Sequence, residues 1–275
     1  MEKVTNQQFK EFIKYILYYL SEYIDITKIV QRYLNTKYVL TDNEYNQFKY
    51  SEEEYVEVIV KRNSGITVTP LSKDTGNIKI INPICIVRND AEHQKKLREI
   101  MFHELMHVGS TKQELLDNEK LVFKTGLFIQ NFKNGEAISD GKYNYLNEAM
   151  TELVAKFIYD KFNDKKYNIV SIIDGYYKTS GYEKGYFLLA SLFLNYFEDN
   201  PKVLYDIYFN NNMELLKKLF KELTPFNLEE INDLIKRSAE NPYDAKLNNS
   251  INVLIDEILD KRPIRNQDVL RQYRL

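Results

Sequence analysis

Leu97-Arg98-Glu99-Ile100-Met101-Phe102-His103-Glu104-Leu105-Met106-His107-Val108 is the stretch on which the reading of this chain turns. It has neither Gly nor Pro and consists mostly of good helix formers. Inside it, His103-Glu104-Leu105-Met106-His107 spells H-E-x-x-H. On a helix, positions i and i+4 stand one above the other, so His103 and His107 can point two imidazoles at a single metal ion. Glu104 lies one step round the helix, where its carboxylate can reach a water on that ion. The chain has 3 His in all and two of them fall in the motif, which argues against coincidence. Ile100, Met101, Leu105, Met106 and Val108 make the helix largely apolar, as a buried site-bearing helix should be, and Gly109 offers a C-terminal stop. His93 reads as a solvent-facing histidine.

Composition narrows the classes around this motif. With 275 residues, 44% hydrophobic and 28% charged, the chain reads as a soluble globular protein large enough for one big domain or two lobes. A net charge of -2 gives no electrostatic case for nucleic acid or an anionic membrane as partner. No stretch is long and apolar enough to cross a bilayer, and the apolar segment Phe12–Leu20 is interrupted by Lys14 and lacks a small-residue cleavage site. A cytoplasmic location is therefore expected. The single cysteine, Cys85, excludes an internal disulfide framework and sits in an apolar run, as a small buried hydrophobe would.

Outward from the motif, the periodicities give an α+β chain. Residues 6–35 have helical apolar spacing, and Thr41-Asp42-Asn43-Glu44 reads as a cap for a short helix through Phe48. Strand patterns follow at 55–60, 66–69 and 78–87, the last broken or placed at an edge by Pro83, and together they predict a small, mostly antiparallel sheet. An edge strand beside the motif helix could accept an extended peptide by strand addition. Lys120–Gln130 reads as one strand, followed after a loop by a second short segment. Leu146–Tyr159 is a strong helix, with further helices near 167–178, 182–198, 201–222 (broken at Asn210-Asn211-Asn212), 227–239 and 248–260. The expected regions are 1–90 (helices and small sheet), 91–200 (core with the motif) and 201–275 (helical), packed as one unit.

Two imidazoles and a water leave a tetrahedral site incomplete, so a third protein ligand is required. Two acid pairs at i, i+4 are available. Glu148 and Glu152 lie on the strong helix, whereas Glu136 and Asp140 are bracketed by Gly135 and Gly141, which leave barely one turn of rigid platform. The two motifs in this order, His103–His107 and then Asn147-Glu148-Ala149-Met150-Thr151-Glu152, resemble the gluzincin metallopeptidases, the thermolysin-like clan. The resemblance covers these two short motifs and their order. It implies that His103, His107 and Glu148 bind one Zn2+ and that Glu104 is the general base. It also implies that Glu152 accepts a hydrogen bond from a ligand histidine and fixes its tautomer. The His2Glu set with an open position suits zinc.

The chemistry expected is peptide-bond hydrolysis by metal-activated water, with a peptide or protein as substrate. Such sites usually set a Tyr or His donor at the developing oxyanion. No His follows His107, so a tyrosine must serve, and Tyr182 at the head of an apolar helix is preferred to Tyr176 or Tyr177. Two other classes fit the same residues: a zincin-like binding or scaffold protein without turnover, and a helical interaction protein with a chance motif. The substrate and the oligomeric state are not legible in the sequence.

Overall fold

A computed structural model describes residues 6–49, 55–60, 65–69, 71–74, 77–80, 82–88, 94–117, 120–133, 136–138, 141–163, 182–197 and 201–261. The fold is α+β, with small sheets in the first half and a mainly helical C-terminal part. The chain divides into two compact units, residues 1–125 with 129–142, and residues 126–128 with 143–275. That division falls at 142/143, away from the boundaries expected at 90/91 and 200/201. Among the described residues no helix is long and apolar enough to cross a membrane.

In the first unit, α1 (Asn6–Ser21) and α2 (Thr27–Leu34) precede a three-stranded sheet of order β1-β7-β4. Its strands are β1 (Lys37–Thr41), β7 (Ile84–Arg88) and β4 (Gly65–Val68). β1 pairs with β7 in parallel and β4 pairs with it antiparallel. β7 is therefore central, and its side chains are buried on both faces: Ile84 and Ile86 on one, Cys85 and Val87 on the other. The expected strand over 78–87 is split at Pro83 into β6 (Asn77–Ile80), which pairs with β5 (Leu71–Asp74), and β7.

The short helix expected over 41–48 does not form. Tyr45–Lys49 is instead β2, antiparallel to β3 (Tyr55–Ile59). Thr41 Oγ1 accepts from Asn43 N at 3.1 Å, so the capping hydroxyl closes a local turn. Phe48 is then buried with Val58, Val60, Ile84 and Ile86, a gain that outweighs a single cap signal.

The motif helix is α3 (Gln94–Ser110), entered soon after β7. Leu97, Met101, Phe102, Leu105, Met106 and Val108 are all buried on it, and the Phe102 ring lies 4.7 Å from that of Phe12 on α1. A second sheet, β11-β10-β9-β8, follows. The polar strand β8 (Lys112–Asp117) had no sequence signal. The single strand expected over 120–130 is a hairpin of β9 (Lys120–Thr125) and β10 (Phe128–Lys133), because Gly126 turns the chain at φ 53, in the left-handed region. β11 (Glu136–Ala137) pairs with the end of β10.

The second unit is built on α4 (Asn144–Phe162), whose Leu146, Ala149, Met150, Leu153, Val154, Phe157 and Ile158 are buried. α5 (Glu183–Phe197) packs closely against it, since a Cβ on Gly185 would lie 3.1 Å from Ala149 Cβ. α6 (Lys202–Asn210) and α7 (Met213–Leu223) are separated by Asn211 at φ 59, as the Asn run predicts. α8 (Leu228–Glu240) opens on a capping box between Asn227 and Glu230, and α9 (Ala245–Lys261) follows. The helix expected near 167–178 lies outside the described residues.

Candidate metal centre

The first half of the site is α3 itself. One helical turn brings His103 Nε2 and His107 Nε2 to 3.2 Å, with the rings edge to face at 72°. Two nitrogens bound at the usual length to one tetrahedral zinc stand about 3.3 Å apart, so this spacing fits a shared ion. The C-terminal turn is held by side-chain hydroxyls. Thr111 Oγ1 donates to His107 O at 2.7 Å, and Ser110 Oγ and Thr125 Oγ1 donate to the same carbonyl at 3.2 and 3.3 Å. Tyr33 OH donates to Leu105 O at 2.9 Å and Arg32 Nη1 to Gly109 O at 2.5 Å. His107 O also accepts from Thr111 N at 3.0 Å, so these side-chain donors add to the helix's own bonds and tie its end to α2 and β9. They also fix the backbone that aims both imidazoles.

Glu104 is 5% exposed, which is unusual for a carboxylate unless something holds it. β4 supplies the holder. Gly65 and Thr67 are two residues apart on a strand and so share one face. Thr67 Oγ1 donates to Glu104 Oε2 at 2.8 Å and lies 3.2 Å from Glu104 O. Gly65 leaves room for the same side chain, because a Cβ there would come 2.9 Å from Glu104 Oε1. Cys85 stands opposite Thr67 in the β4–β7 register, fully buried. Burial and then the charge of Glu104 push its thiol well above the ordinary range, so it is an inert packing residue, as its apolar surroundings in the sequence predict.

The acid lies on α4. One ligand atom from each of His103, His107 and Glu148 lies within 4.8 Å of the others, a possible metal-binding triad. Glu148 is half-buried, and Glu152 follows one turn later on the same face, also half-buried. The alternative, Glu136, is on strand β11 and exposed, so the helical platform its i, i+4 pattern suggested is absent there. Asp140, His93, Tyr176 and Tyr177 lie outside the described residues.

Tyr182 immediately precedes α5, where its carbonyl accepts from Tyr186 N at 2.9 Å. Its ring is 6.2 Å from that of Tyr145. Burial, then the Glu148 charge and then Tyr145, raise its phenol above the ordinary value. Tyr182 thus stays a neutral donor near Glu148 at physiological pH.

Sequence reasoning missed Gly65 and Thr67. Nothing within Gly65-Ile66-Thr67-Val68 marks it as a partner of the motif, since the pairing is across 37 residues of chain. It also missed the task of Asn147. Its Oδ1 accepts from Leu127 N at 2.9 Å, and Asn211 Nδ2 donates to Gly126 O, so the two asparagines pin the Gly126-Leu127 turn within the second unit. Compared with protein-family models, curated proteins and solved structures, the chain matches none.

Proposed function

We propose that this chain is a zinc-dependent metallopeptidase of the gluzincin type, hydrolysing peptide bonds in a peptide or protein substrate. The observation that carries the reading is the convergence of His103, His107 and Glu148 beside a buried, positioned Glu104. His103, His107 and Glu148 would hold one Zn2+, and His2Glu is a donor set that leaves zinc an open position. Zinc held there would bring the pKa of a water to near 7 and polarise a substrate carbonyl.

Glu104 is the base that takes the proton and then delivers it to the leaving amine. Thr67 fixes one of its oxygens, which leaves the other for proton transfer and limits rotation of the carboxylate. Tyr182, kept protonated, is the donor for the oxyanion, and Glu152 is the acceptor that orients a ligand imidazole. β4 ends its sheet among the described strands, so an extended peptide can add along it within reach of Glu104, which the same strand touches.

The test has two arms. Purified protein should carry about one zinc per chain, lost in His103→Ala. It should cleave an unbiased peptide library, and Glu104→Gln should abolish cleavage while keeping the metal. A zinc-free wild type would sink the metal reading. Zinc-loaded wild type as inert as Glu104→Gln on every peptide would instead favour the non-catalytic scaffold.

A further inference from the structure

The helix that carries Glu148 begins in an unusual way. Its N-cap is Tyr143, at φ 63 and ψ 24 in the left-handed region. Bulky side chains rarely adopt that backbone, and where one does, its surroundings hold it there. The common N-caps are Ser, Thr, Asp and Asn, whose side chains accept from the helix's own first turn. Tyr143 makes no such bond. Its carbonyl accepts from Asn147 N at 2.7 Å, which opens α4. Its phenol reaches away from the helix and donates to Glu229 Oε1 at 2.8 Å. Glu229 stands in the first turn of α8, within the same compact unit. The ring is buried, so packing and the hydroxyl together keep the strained cap in place. Burial, and then the bond to Glu229, raise the phenol above its ordinary value, so it stays a donor.

We infer that Tyr143 is a positioning residue for the third metal ligand: its hydroxyl on Glu229 anchors the start of α4, and with it the backbone of Glu148. The inference rests on the zinc reading proposed above. Helix ends fray, and Glu148 is only five residues past the cap. In an α-helix the N–H of residue 148 bonds to the carbonyl of residue 144, the first residue of α4, so a frayed first turn releases Glu148 itself. A ligand carboxylate must be held to within about half an ångström. A side-chain cap of the common kind would secure α4 only to itself. The Tyr143–Glu229 bond secures it to a second helix, which is what a ligand so near a helix end requires.

Zinc affinity, measured by competition with a chromophoric chelator beside thermal melts of the metal-free full chain, tests this. Tyr143→Phe removes only the hydroxyl and should weaken zinc about tenfold, the worth of one hydrogen bond to a charged acceptor. Glu229→Ala removes the acceptor and should weaken zinc to a similar extent. The double variant should bind no more weakly than Glu229→Ala alone, because the same bond is lost in both. Ile251→Val, in the buried face of α9, is the control: it should lower the melting temperature and leave zinc affinity unchanged. Zinc held as tightly by Tyr143→Phe as by wild type overturns the inference. So does a loss in Tyr143→Phe that Ile251→Val reproduces, since stability alone would then account for it. Wild type that binds no zinc marks instead the failure of the metal reading on which the inference stands.

Discussion

Gly65→Ala isolates the role of Glu104 without touching a metal ligand. The added Cβ would overlap Glu104 Cγ and sit 2.9 Å from its Oε1 and 3.0 Å from its Cδ. Ordinary carbon contacts lie at about 3.5–4.0 Å, so the Glu104 side chain must retreat by more than about one ångström. The Thr67 hydrogen bond, now 2.8 Å, would then stretch beyond useful length. Gly65 is not in the left-handed region, and Ala suits a strand slightly better than Gly, so the backbone loses little. A catalytic group misplaced by an ångström costs up to about 10²-fold in rate. The variant should therefore keep its zinc and its melting temperature and lose about 10²-fold in turnover, on whichever peptide wild type cleaves and Glu104→Gln does not. Thr67→Val should lose turnover in the same way and Thr67→Ser should restore it, because only the hydroxyl differs in function. Full activity in Gly65→Ala, or zinc lost in step with activity, would refute the positioning argument.

Four further outcomes are expected. Glu148→Ala should strip zinc, Glu152→Gln should weaken it by about 10–100-fold as loss of an outer partner does, and Glu136→Ala should leave metal content unchanged by elemental analysis. Tyr182→Phe should lower kcat by about 10²–10³-fold with KM little altered, the signature of a donor used at the oxyanion. Lys112→Gln should raise the melting temperature at pH 7. Folded Lys112 titrates near 8 against an ordinary 10.5, so the unfolded chain binds more protons between those values and stability rises with pH there; the advantage of the variant should fade as pH passes through that window. Gly126→Ala should destabilise the protein by more than the ~1–2 kcal/mol of the left-handed backbone alone, because its Cβ also meets Asn147 Oδ1 and the Tyr208 ring. Gly126→Asn, though tolerant of that backbone, should not rescue it, as chemical denaturation would show.

What the sequence made legible was what local periodicity controls. The i, i+4 spacing of His103 and His107 is a property of one helix, and the structure gives the imidazole pair at 3.2 Å. The same holds for Glu148 on α4 and for the break at Asn211, where a short polar side chain adopts φ 59. The failures came where a partner distant in sequence decided the outcome. Thr41-Asp42-Asn43-Glu44 carries a helix-cap signal, but β3 and the burial of Phe48 turn the following residues into a strand. Lys120–Gln130 has strand composition throughout, and the turn inside it depends on Gly126 being fixed by Asn147 and Asn211, neither of which is nearby in the chain. β8 has no apolar alternation, since Glu114, Leu115 and Leu116 are all exposed, and it exists because β9 pairs with it.

The same logic explains why a buried glutamate can follow a histidine in this helix at all. A carboxylate at 5% exposure needs hydrogen bonds that offset its desolvation, and its own helix cannot provide them because the backbone donors there are already used. The donor comes from β4, a strand that alternates Gly65 and Thr67 toward α3 with Ile66 and Val68 away from it. Val68 is partly buried against the sheet's own core, so the register that packs it there also aims Thr67 at Glu104. A one-residue slip of β4 would present Ile66 and Val68 to the carboxylate and leave it without that bond. Sheet register and carboxylate placement are therefore one constraint. Substituting Val68 by a polar residue should disturb Glu104 even though the two side chains leave the strand on opposite faces.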